Sequence, residues 1–164
     1  MENKKIKGAT GHHYDGIDFE SGLEVDTYKA LKEAGLKFGY NRHTYHVFEV
    51  GRPKAPCYDV FKDRKLKQTV WALNKYKPTD IKYTPDFTLA IKDGSGTIRE
   101  IFIESKGYPN DRYAYVKKMF RVYLDKHFPN GMFFEVHNKR QIRMAIEIIK
   151  NLQHENKDNF GGVA

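Results

Sequence analysis

A single cysteine, Cys57, leaves this 164-residue sequence without an intrachain disulfide framework and argues against a cysteine-based zinc site. Long apolar runs are also missing. No stretch approaches the length needed to cross a bilayer, and Met1-Glu2-Asn3-Lys4-Lys5 is not followed by the apolar segment of a signal peptide. The expectation is a cytoplasmic protein with no membrane partner. Histidines number seven, but His12, His13, His43, His46, His127, His137 and His154 show no metal-ligand spacing, so surface or hydrogen-bonded roles are expected for each. Acidic residues are the minority, 21 against 29 Lys and Arg, and the formal charge is +8. Aromatic residues make up 14%, so the chain can fold around a core while presenting basic surface, and a polyanion is the natural partner.

The length suits one compact domain. Residues 1–17 are polar and Gly-rich and read as a flexible N-terminal arm, 18–153 as the single domain, and 154–164 as a frayed tail. Ser21-Gly22-Leu23-Glu24 has the capping-box pattern and opens a helix that runs to Gly35. Phe38, Tyr40, Tyr45 and Val47 suggest one or two strands within 38–50. Segment 51–82 is a basic insertion whose structure the pattern does not define. Two strands, about 83–92 and 98–106, flank the turn Asp93-Gly94-Ser95-Gly96. A helix over about 111–127 follows, with Tyr115, Met119, Val122 and Tyr123 as candidate core positions. Met132–Val136 reads as a buried strand, and 140–152 as a helix with Ile142, Ala145, Ile146 and Ile149 on one face.

Register makes the hairpin informative. Residues opposed across an antiparallel hairpin have numbers of constant sum, and centring the turn on Ser95 sets Phe87 against Ile103, Leu89 against Ile101, and Asp86 against Glu104. The apolar side chains then share one face and the two acids the other. Facing like charges destabilise a sheet, and a hard divalent cation is the simplest compensation. Lys106, two residues beyond Glu104, falls on the same face, where its ammonium can orient a water and offset charge on a phosphate. Taken alone, these read more simply as separate surface acids with a salt-bridging lysine, because exposed acids and lysines on strands are commonplace.

Tyr83-Thr84-Pro85-Asp86-Phe87, followed by Phe102-Ile103-Glu104-Ser105-Lys106-Gly107, resembles the PD-(D/E)xK nuclease superfamily. With Ser21-Gly22-Leu23-Glu24 on the preceding helix, the chain is most similar to phage-type endonuclease I, a Holliday-junction resolvase, and related small phage nucleases, over about residues 18–137. The resemblance implies an α/β (α+β) fold with a restriction-endonuclease-like core, helix-strand-strand-strand-helix-strand, plus a C-terminal helix. It implies a Mg²⁺-dependent endodeoxyribonuclease using metal-activated water, with Mn²⁺ able to substitute, in a bacterial or phage-infected cell. Asp86, Glu104 and the Ser105 carbonyl would bind metal, and Lys106 would serve the nucleophilic water. Glu24 would complete the site, although its capping position explains it without catalysis and Glu20, one turn earlier, is a rival. The resolvases it resembles form intertwined dimers, which implies a homodimer, yet no bridging element is identifiable here, and segment 51–82 is longer than the corresponding connection in the resolvases and matches nothing in it.

DNA is the expected partner. Arg112, Lys117, Lys118 and Arg121 crowd the helix after the site, with Lys117 and Arg121 one turn apart as a phosphate track requires. A solvated helix face is an equal reading for each. Trp71 could stack on an unpaired base or, as is commoner for a lone tryptophan, sit in the core. Two competing functions stand beside the resolvase-like one: a site-specific or nicking subunit of a larger complex, and a non-catalytic nucleic-acid-binding module. Pure binding would gain nothing from two carboxylates facing a phosphate.

Overall fold

A computed structural model describes residues 11–63, 65, 67–107 and 111–154. Residues 1–10 of the expected arm and 155–164 of the expected tail lie outside them. The chain is mixed α and β. It begins with a small hairpin, β1 (His12–Tyr14) and β2 (Ile17–Phe19), where a flexible arm was expected. The cause is a two-residue loop, Asp15-Gly16, with both residues at positive φ (56° and 76°), as a tight hairpin turn matching strand twist requires. Asp15 also ties the hairpin to the first helix, accepting from Tyr28 and Lys32, each at 2.6 Å.

Helix α1 (Gly22–Glu33) starts at Ser21, whose hydroxyl accepts the Glu24 N–H at 3.3 Å, and is followed by Gly35 at φ 73°. Next come β3 (Gly39–Tyr40) and β4 (Tyr45–Phe48). The basic insertion is itself a hairpin, β5 (Tyr58–Asp63) with β6 (Gln68–Leu73), and leads into β7 (Ile81–Tyr83). The remaining elements are β8 (Phe87–Lys92), β9 (Ile98–Ser105), α2 (Asp111–His127), β10 (Met132–Val136) and α3 (Lys139–His154). The central sheet has the order β10-β9-β8-β3, antiparallel except for β9–β10, which α2 connects as a parallel crossover. Strands β4 and β7 form a separate two-stranded ribbon.

The expected register is present: Phe87 pairs with Ile103 and Leu89 with Ile101. The expectation of a single apolar face gives way to cores on both sides of the sheet. On one side Phe87, Leu89, Ile101 and Ile103 pack with Leu31 of α1 and Ile142, Ala145 and Ile149 of α3. On the other, Phe102 packs with Tyr83 and with Tyr113, Phe120 and Leu124 of α2. The α2 core face therefore differs from the one expected, because Tyr115 and Val122 are exposed and Tyr113, Phe120 and Leu124 are buried. The turn after β8 is locked by Asp93, whose carboxylate accepts from the Ser95 hydroxyl, the Ser95 and Thr97 N–H groups and Arg99. The Ser95 hydroxyl, with Arg99 and Thr97, holds its pKa down at about 2 against the effect of burial.

Candidate active site

The antiparallel ladder of β8 and β9 begins at Phe87–Ile103, so Asp86 and Glu104 stand one step beyond it, at the open end of the hairpin. Pro85 is fully buried just before Asp86, and the Asp86 carbonyl accepts from Asn41 N–H at 2.9 Å, which fixes the backbone there. The Asp86 carboxylate takes the Ser105 N–H at 2.6 Å. Glu104 is buried and accepts from the Tyr83 hydroxyl at 2.6 Å, and Lys106 brings its ammonium to 3.6 Å from the same carboxylate. The Lys106 ammonium also lies 4.8 Å from the centre of the Tyr113 ring. Asp86, Glu104 and Lys106 thus meet as the pleat requires.

Glu24 arrives from α1 and is only 5% exposed. Its carboxylate accepts from Ser21 Oγ at 2.8 Å, from the Glu20 N–H at 3.1 Å and from the Tyr40 hydroxyl at 2.6 Å. It therefore completes the cap and still acts on the site, since its charge is among those that raise the Asp86 pKa. Glu20 is exposed. The serine of the motif faces the other way, its hydroxyl 2.9 Å from that of Thr27 on α1.

Electrostatically the acids are under load. Burial pushes Asp86 well above the ordinary carboxylate range, the charges of Glu104 and Glu24 push it further, and the Ser105 N–H and Lys106 oppose them. Glu104 is likewise raised by burial, with the Tyr83 hydroxyl and Lys106 pulling it down. The tyrosines answer in kind: burial and the adjoining carboxylates raise Tyr40, Tyr83 and Tyr113, so each hydroxyl stays a donor.

The parallel partner β10 adds residues that sequence reasoning missed. Glu135 lies beside Glu104 in register and accepts from the Tyr113 hydroxyl at 2.9 Å. Its other contacts are an ion pair with Lys117 and the His137 Nε2 atom at 3.0 Å. His137 Nδ1 is 2.5 Å from the Lys106 carbonyl. Burial raises Glu135, but Lys117, Tyr113 and His137 outweigh it and leave its pKa below the ordinary value. A constant offset of 31 between β9 and β10 aligns Glu135 with Glu104, and that offset follows only from the fold. Of the residues expected to track phosphates, Lys117 is committed to Glu135, whereas Arg112, Lys118 and Arg121 are exposed on α2.

Among the described residues, no set of three or more histidine, cysteine or acidic side chains is placed to hold a metal ion. Magnesium does not need such a cage, because it is commonly bound through one or two carboxylates with waters and substrate phosphate filling the remaining positions. The buried Glu104 and the half-buried Asp86, whose ionisation the Glu104 charge opposes, are hard oxygen donors that fit that kind of site. No family model matches the chain, and neither the curated proteins nor the solved structures give a significant match. No helix among the described residues is long and apolar enough to cross a membrane.

Proposed function

We propose that the chain is a Mg²⁺-dependent DNA endonuclease of the PD-(D/E)xK type. The observation that carries the reading is the meeting of Asp86, Glu104 and Lys106 at the open end of one hairpin, with two carboxylates whose burial and repulsion call for a cation. The order α1, β3, β8, β9, α2, β10, with β4–β7 set between β3 and β8, supports it, because the resemblance implies a helix-strand-strand-strand-helix-strand core.

Asp86 and Glu104 would hold the cation, with the Ser105 carbonyl as a further oxygen donor. When bound, it supplies a polarised water at neutral pH and stabilises charge on the phosphate. The protein groups do the rest. Tyr83 fixes one Glu104 oxygen and favours the charged carboxylate against the effect of burial, and Lys106, steered by Glu104 and the Tyr113 face, orients the attacking water and offsets charge growing on the phosphoryl oxygens. Glu24 completes the negative wall, its position set by Ser21 and Tyr40. Arg112, Lys118 and Arg121 are the exposed basic residues of α2 available to DNA phosphates.

The test is a substrate panel. Purified protein is incubated with four-way junction, nicked, single-stranded and linear duplex DNA, in Mg²⁺ or in EDTA. Cleavage of one or more in Mg²⁺ and of none in EDTA is expected, with the junction the favoured substrate if the resolvase-like resemblance holds. Failure to cut any of the four in Mg²⁺ overturns the reading.

A further inference from the structure

We propose that the β5–β6 hairpin is an arm that binds unpaired nucleotides of a DNA substrate, stacking bases on Trp71 and Tyr58 and holding phosphates with its lysines. The inference rests on DNA being the substrate, though not on its cleavage.

The register sets Tyr58 against Leu73 and Val60 against Trp71, and strand alternation puts all four on one face with Lys62. That face is open: Trp71 is 73% exposed, Tyr58 59%, and Val60 and Leu73 about half. A tryptophan left in water on an otherwise well-folded chain overturns the core reading of Trp71 and marks a contact surface. Diagonal neighbours on a hairpin lie roughly 7–8 Å apart, so Trp71 and Tyr58 offer two rings side by side on one surface.

Charge selects the occupant. Segment 51–82, the hairpin together with the stretches that join it to β4 and β7, contains nine basic residues against three acidic and so carries six of the chain's eight net positive charges; the hairpin itself has four basic residues against two acidic. Two of the acids are engaged elsewhere, Asp59 by Asn74 and Asp80 by His46 and the Val50 N–H. Such an arm repels a second copy of itself and attracts a polyanion. Flat rings among dispersed cations suit bases on a phosphate chain, and only unpaired bases present a ring face, because those of a duplex are already stacked. The placement is also apt. The arm is inserted between β4 and β7, and β7 ends at Tyr83, the residue that hydrogen-bonds Glu104.

Trp71 is the only tryptophan, so its fluorescence reports on the arm directly. In EDTA, titration of the full chain with oligo-dT is expected to quench that fluorescence to saturation, with duplex of equal length quenching far less. By anisotropy of a labelled oligo-dT, Trp71→Ala should weaken binding about 5- to 100-fold and Trp71→Phe much less. Lys62→Ala should lower the salt slope by about one phosphate. Three results would overturn the proposal: wild-type affinity of Trp71→Ala for oligo-dT, a Trp71 signal that responds to protein concentration alone, or one that responds only to phosphatidylserine vesicles. Because binding is measured without metal, failure of the arm leaves the cleavage reading standing, and failure of cleavage leaves the arm testable.

Discussion

Replacing Asp86 by Asn separates the charge of the site from its shape. Asparagine keeps an oxygen that can accept the Ser105 N–H, now held at 2.6 Å, while the repulsion with Glu104 and Glu24 disappears. Burial and those charges lift the Asp86 pKa above its unfolded value, so between the two values the native state binds more protons than the unfolded one, and stability is lost as pH rises through that window. Wherever Asp86 is ionised, the metal-free wild type carries that penalty. Asp86→Asn should therefore melt higher than wild type in EDTA. Magnesium should reverse the ranking by relieving the same repulsion. At about ten times its dissociation constant, a ligand specific for the folded state stabilises by about 1.4 kcal/mol, or about 3–6 °C in Tm for a chain of this size. The shift should grow as pH rises, because protons compete with the cation for carboxylates whose pKa is raised. Differential scanning fluorimetry with and without Mg²⁺ reads all of this. An equal Mg²⁺ shift in wild type and variant, or a lower metal-free Tm for Asp86→Asn, would refute the reasoning.

Glu24→Gln and Glu20→Gln, assayed for cleavage side by side, should differ: the buried, tyrosine-bound Glu24 is expected to cost at least about tenfold in rate and the exposed Glu20 nothing measurable. Tyr83→Phe removes the hydrogen bond that favours charged Glu104, so the acid limb of the pH–rate profile should move to higher pH. Phe120 is fully buried and its ring centre lies 4.4 Å from that of Tyr83, so Phe120→Ala should cost about 3–5 kcal/mol in denaturant titration, with only a small loss if the α2 layer packs loosely.

Much of the fold is legible in local chemistry. Ser21 and Gly35 delimit α1 through capping and positive φ, and the sum rule across Asp93–Gly96 gives the β8–β9 register that aligns Asp86 with Glu104. What stays hidden depends on partners distant in sequence. The α2 face cannot be chosen from the pattern because aromatic residues lie on both sides of that helix, and only the sheet beneath decides that Tyr113 and Phe120 go in while Tyr115 stays out. Glu135 and His137 join the site through the parallel pairing of β10, which has no turn to reveal its offset. The Asp15-Gly16 turn is readable as a hairpin signal, but the polar residues around it mask the short strands. Segment 51–82 sets Tyr58, Val60, Trp71 and Leu73 on one face, but Phe61 and Val70 on the other interrupt the alternation and the lysines around them hide it further, and the face so formed is solvent-exposed rather than buried.

The central claim is that Asp86 and its neighbours hydrolyse DNA with a bound cation. Its most direct test is single-turnover cleavage of a labelled four-way junction by wild type and Asp86→Asn at equal, saturating protein concentration in Mg²⁺, with binding measured in parallel. Wild type should cut in Mg²⁺ and stop in EDTA, and Asp86→Asn should lose at least about 100-fold in rate while binding the junction as well or better, having shed a charge that repels phosphate. Cleavage by Asp86→Asn at the wild-type rate, or by wild type in EDTA, would contradict the account.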